Sequence, residues 1–161
     1  MPAVIKAVFA LLVTLAVPVL AADYDMPRGV LAQVSVSGGF KPIDAPYATG
    51  VRIRQNGHVE SFSISNDGKT ETRLLAVLTP QRTAAIAAEP RKLTVVKLVQ
   101  ADPNAPPCAD APETVYLARN SRLEVVPLKG TINCNKYLRA DGAWSDLPAI
   151  LDGFLTLSYL K

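Results

Sequence analysis

The chain has 161 residues, 49% of them hydrophobic, 19% charged and 6% aromatic, with 13 Pro, 9 Gly, 2 Cys and 1 His. That length suits one domain, and the apolar content excludes a wholly disordered chain. One His and two Cys leave little for a metal cage or an imidazole-dependent centre, and a net charge of +3 is too small to imply nucleic-acid binding.

Met1 to Ala22 has the form of an export signal: Lys6 gives the positive start, Ala7 to Leu15 the apolar stretch, and Pro18 breaks the helix before Val19-Leu20-Ala21. Cleavage is expected after Ala21, with Ala22 nearly as suitable. A membrane anchor needs about 20 apolar residues, and this stretch is shorter. There is no Cys at the cleavage site and no twin Arg, which points to the general export route. The expected organisation is therefore a signal peptide over 1–21 and a single exported domain over 22–161, periplasmic or secreted. No stable membrane span is expected once the signal is removed.

Asp23 to Gly29 reads as an irregular leader. Val30, Ala32, Val34 and Val36 alternate with Leu31, Gln33, Ser35 and Ser37, the period of a half-buried strand, which Gly38-Gly39 ends. Lys41 to Gly50, with Pro42 and Pro46, reads as a loop. Val51 to Gln55 and His58 to Ser65 flank Asn56-Gly57, a two-residue hairpin signal in which both turn residues take positive φ. Asn66-Asp67-Gly68 turns the chain again into a third strand over Thr70 to Leu78. Thr79 suits a helix N-cap and Pro80 the first helical position, and Pro90 closes that helix. Leu93 to Gln100 reads as a strand rich in β-branched residues. Ala101 to Pro112, dense in proline, reads as a loop. Thr114 to Ala118 and Arg122 to Leu128 form a hairpin around Asn120-Ser121. Ser145 caps a last helix through Leu157, with Ile150, Leu151, Phe154 and Leu155 on one apolar face and Pro148 in the first turn.

Strands, helix, strands, helix, with hairpins and no regular βαβ alternation, predict an α+β fold: an antiparallel sheet built from hairpins with two helices packed on it. A barrel or sandwich with helical decorations is the alternative. Cys108 and Cys134, in an exported chain, are expected to form one disulfide. It would close a loop of about 27 residues, worth roughly 3.5 kcal/mol. Their spacing is unlike Cys-x-x-Cys, and a zinc site would need two further ligands where only His58 and carboxylates remain.

The hairpins, the Thr79-Pro80 helix start, the Cys108-Ala-Asp110-Ala-Pro112 loop and the second Cys together resemble small exported bacterial proteins of uncharacterised function, over residues 50 to 157. The resemblance implies the disulfide and the α+β order, and it brings no activity and no site residue.

His58 follows a turn, where side chains face water, and Glu60 shares its strand face. Ser35, Ser61 and Ser63 lack a Gly-x-Ser-x-Gly elbow, and Cys-His catalysis would need a free thiol. Glu60, Glu71, Asp110, Glu113, Glu124, Asp141, Asp146 and Asp152 are carboxylates that could pair across a cleft, although most read as surface charges. Asp110 reads as a turn residue ordering its loop. Phosphate-binding loops are missing, and Asp67-Gly68 lacks the other oxygen ligands of a calcium loop. Arg52 and Arg54 share a strand face with Arg73 expected opposite, a cluster suited to an anionic glycan, a phosphate-bearing polymer or an acidic protein. The plainer reading is a solvated face with Glu60 and Glu71 as cross-strand partners. Aromatic residues are too few for a nucleic-acid stacking platform.

The sequence thus predicts a non-catalytic exported binding module, without cofactor or metal, engaging another envelope or secreted protein as an inhibitor, immunity or accessory protein. Its contact surface is expected either at Arg52, Arg54 and His58 or on the Pro103–Pro112 loop with Asp110. A small envelope hydrolase using dispersed carboxylates is the alternative, and a structural subunit a third reading.

Overall fold

A computed structural model describes residues 26–39, 41–91, 93, 98–106, 110–132, 134–139 and 146–160. The segment read as a signal peptide, 1–21, lies outside these residues. Among the described residues eight strands form one antiparallel sheet: β1 (Val30–Gly38), β2 (Ala48–Arg54), β3 (His58–Ile64), β4 (Thr70–Val77), β5 (Leu98–Gln100), β6 (Pro112–Arg119), β7 (Val125–Ile132) and β8 (Asn135–Arg139). The described residues also form two helices, α1 (Pro80–Arg91) and α2 (Leu147–Tyr159). The spatial order is β4-β3-β2-β1-β6-β7-β8-β5, so β1 divides the sheet into two wings.

Both helices lie on the same side. Ile86 of α1 and Leu147 and Leu151 of α2 share one core with Ala32, Val34, Val51, Ile53, Val59, Tyr116, Ala118, Val126 and Leu128. The alternation along β1 to β3 delivers these side chains to one face, and each fully buried aliphatic contributes ~1.5–3 kcal/mol. A smaller cluster of Met26, Val30 and Leu117, joined by Val115 and Val125, gathers separately. Among the described residues, no helix is long and apolar enough to cross a membrane.

Several expectations need correction. The expected disulfide is not among them: Cys108 lies outside the described residues, while Cys134 is disulfide-bonded and no described cysteine is free. Cys134 occupies the β7–β8 turn at φ 64. The loop expected over Lys41 to Gly50 ends earlier, because Ala48 already pairs with Ser37 on one side and Ile64 on the other. The Asn56-Gly57 turn is a three-residue loop. Gly57 N–H donates to the Arg54 carbonyl at 3.0 Å and Gly57 alone takes positive φ, at 83°, so a type I turn followed by a left-handed glycine replaces the expected mirror-image turn. Ser65–Lys69 repeats this loop with Gly68 at φ 80, and Asn120–Glu124 repeats it with Leu123 at φ 63. The first helix continues past Pro90 to Arg91. Strand β8 was not foreseen. Of the strand expected over 93–100, only Leu98–Gln100 is described as strand, and 94–97 fall outside the described residues. Ser145, expected to cap the last helix, also falls outside; Asp146 stands at the N-cap without a side-chain cap bond.

Candidate functional site

The side of the sheet away from the helices carries a polar cluster at its centre. The register aligns Gln33 with Arg52, Arg52 with Glu60 and Glu60 with Leu74, so one row crosses four strands on that face. Arg54 follows Arg52 by two positions and therefore shares the face. Both arginine Nε atoms reach the same carboxylate oxygen: Arg52 to Glu60 Oε2 at 2.9 Å and Arg54 to Glu60 Oε2 at 2.8 Å. Arg52 is 7% exposed and Phe62 6%. The guanidinium carbon of Arg52 stands 5.6 Å from the Phe62 ring centroid. That ring lies across Gly50, where an added Cβ would come within 2.6 Å of Phe62 Cζ. Gly50 thus leaves the space that lets Phe62 lie down beside Arg52.

Burial pushes the Glu60 carboxyl up, but the hydrogen bonds and charges of Arg54 and Arg52 together outweigh it and hold the group below its ordinary 4.5. Glu60 is therefore an ionised acceptor, not a proton donor. Two guanidinium groups against one carboxylate leave the cluster with a surplus positive charge, which Arg54 carries nearer to solvent than Arg52 does.

His58 opens β3 on the same face, two positions from Glu60 and so about 7 Å along the strand. It is half-buried, stands opposite Val77, and donates its backbone N–H to Asn56 Oδ1 at 3.1 Å. Arg52, Arg54 and His58 are thus brought to one region. Asp110 is not. It is exposed at φ 62 just before β6, whose Pro112 pairs with Gly38, whereas Arg54 pairs with Val30 at the other end of β1. The separation along β1 is about 27 Å. The two contact surfaces expected from sequence are therefore distinct, and Pro107 to Ala109 of the proline-rich loop lie outside the described residues.

Arg73 does not join Arg52 and Arg54. It pairs with Ser61 on the helix side and donates from Nη2 to the Ser158 carbonyl at 3.0 Å, holding the end of α2. Glu71, aligned with Ser63, lies on that side too and is no cross-strand partner of the arginines. Both line a 350 Å³ cavity between β2–β4 and the end of α2, with Thr49 and Ser63.

A second polar centre escaped the sequence reading. The Tyr116 hydroxyl donates to Asp152 Oδ1, Lys129 Nζ stands 3.5 Å from Asp152 Oδ2, and the same ammonium lies 4.3 Å from the Tyr116 ring centroid. Burial first, then the hydrogen bond and charge of Asp152, push the Tyr116 phenol above its ordinary 10. The centre ties α2 to β6 and β7. One signal in the sequence pointed to it: an Asp set among Ile150, Leu151, Phe154 and Leu155 on an apolar helix. Among the described residues no group of three His, Cys, Asp or Glu side chains could hold a metal ion.

No protein-family model, no curated protein and no solved structure matches the chain.

Proposed function

We propose that this chain is an exported, non-catalytic binding module whose partner is another protein of the cell envelope or the secreted set, engaged through the sheet face around Arg54. One observation carries the reading: two arginines converge on one Glu60 oxygen, on a face over which no helix lies among the described residues. That arrangement fixes both guanidinium groups and leaves a surplus cation at the surface, so an acidic side chain meets a preorganised donor. Leu74 and Val77, on the same face, are 53% and 63% exposed and add apolar area beside the charge. A rigid cation flanked by exposed aliphatics suits a protein surface better than a flexible polymer. The pattern of Lys6, Ala7–Leu15 and Val19-Leu20-Ala21 supports export.

The test is capture of partners from native envelope extract by three tagged proteins: wild type, Arg54→Glu and Asp110→Ala. A stoichiometric protein held by wild type and Asp110→Ala but lost with Arg54→Glu is the expected result. A partner kept by Arg54→Glu and lost with Asp110→Ala would move the site to the proline-rich loop. An empty capture by folded wild type would overturn the protein-binding reading.

A further inference from the structure

Among the described residues, strand β4 is one edge of the sheet and pairs only with β3. The opposite edge, β5, has three described residues, whereas β4 has eight, of which the first five are exposed. An exposed edge of that length offers a row of unpaired backbone groups to another strand. Its usable part is shorter. In the β3 register Glu60 faces Leu74 while Val59 faces Ala76, so Leu75 is an extra residue in a bulge that bends the strand. The regular stretch is Thr70–Leu74, and its midpoint is Thr72.

We propose that β4 pairs antiparallel with β4 of a second copy of this chain, about a two-fold axis through Thr72. In that register each Thr72 faces its twin, each Glu71 faces Arg73 of the other copy, and each Thr70 faces Leu74. Directly opposed side chains on one sheet face have Cβ atoms about 5 Å apart, where opposite charges and paired threonines favour association. Moving the register by two residues sets Arg73 against Arg73 or Glu71 against Glu71, and like charges directly opposed disfavour it. Moving it further, toward Leu74 on Leu74, drives the ladder through the bulge at Leu75. The bulge and the charges therefore select the same register. Glu71 has no ion pair among the described residues. Arg73 uses Nη2 on Ser158 and keeps further guanidinium N–H groups for a carboxylate. The pairing is isologous and closes on itself, joining two eight-stranded sheets into one. It goes beyond the binding-module reading and does not rest on it.

Sedimentation equilibrium of the purified full chain, across a wide concentration range, tests the pairing. Wild type is expected to dimerise. Glu71→Arg and Arg73→Glu, each alone, oppose like charges twice and should weaken the dimer about tenfold or more. Mixing the two variants restores both opposite-charge pairs, so a heterodimer of wild-type strength is expected. A wild type that stays monomeric, or a dimer that Glu71→Arg leaves undiminished, would overturn the proposal. If Arg73→Glu fails to fold by circular dichroism, Glu71→Arg carries the test alone.

Discussion

Gly57 and Gly68 occupy the same position in two like loops, at φ 83 and φ 80, but their surroundings differ. A Cβ at Gly68 meets nothing within 4 Å; at Gly57 it would come 2.9 Å from the Leu78 carbonyl oxygen and 2.9 Å from Thr83 Oγ1. Neither neighbour can retreat freely. Leu78 donates its N–H to the Gly57 carbonyl at 2.9 Å, and Thr83 donates its hydroxyl to the Thr79 carbonyl at 3.0 Å. Placing alanine in the left-handed region costs ~1–2 kcal/mol. The stiffer unfolded chain returns ~0.4–1 kcal/mol. Gly68→Ala should therefore lose about 0.5–1 kcal/mol. Gly57→Ala adds an overpacking cost of ~1–3 kcal/mol and should lose about 2–4 kcal/mol in all. Leu123, at φ 63 in the third such loop, already bears the left-handed cost, so Leu123→Gly should gain a few tenths to about 1 kcal/mol. Urea titrations followed by circular dichroism read all three. With a slope of about 2 kcal/mol per molar, the midpoints fall by about 0.3–0.5 M for Gly68→Ala and by 1 M or more for Gly57→Ala. Equal shifts for the two alanine variants would refute the reasoning, since backbone conformation alone would then decide the cost.

Removing the Glu60 carboxylate strips a buried arginine of its counter-charge, and Glu60→Gln should lose about 3 kcal/mol at neutral pH. Because the folded-state pKa of Glu60 is depressed, its contribution is present above the ordinary 4.5 and is lost as the pH falls through the folded value. Wild type should accordingly weaken more steeply on acidification than Glu60→Gln, and parallel acid limbs in urea midpoints would count against the ion cluster. The Tyr116 phenol is raised, so its contribution is fully present below pH 10 and fades above it as the pH climbs. Tyr116→Phe should lose ~1–2 kcal/mol. The difference in tyrosinate absorbance between wild type and this variant should stay near zero well above pH 10; a difference that rises at the ordinary value would remove the Asp152 contact from the account.

What could be read from the sequence was local. The alternation Val30, Ala32, Val34 names β1, and Thr79-Pro80 marks the start of α1 to the residue. The spacing of Arg52, Arg54 and Glu60 put these charges on one face, and so they are. The side taken by Arg73 could not be read, because it depends on loop length. A loop of three residues at Asn66–Gly68 aligns Arg73 with Ser61, and one residue fewer would turn it to the Arg52 side. The pairing of β1 with β6 joins segments some 80 residues apart, and no neighbouring pattern announces it. Tyr116 and Asp152 meet only because that pairing and the docking of α2 bring them together. The burial of Arg52 likewise required knowing that Gly50 makes room for Phe62.

The helices are exchanged between the wings. Helix α1 leaves β4 and packs against β6 in the other wing, and α2, from the far end of the chain, comes back over β1 to β4. A growing chain therefore finishes its first four strands long before their apolar side can be covered. Val51, Ile53 and Val59 wait for Leu147 and Leu151, some 90 residues further along the chain. Until then that wing is a bare sheet, and a chain cut short before α2 is a sticky fragment instead of a smaller protein. Helix α2 is thus the clasp that closes β1 to β4, and that wing is covered only once the chain has been made through α2.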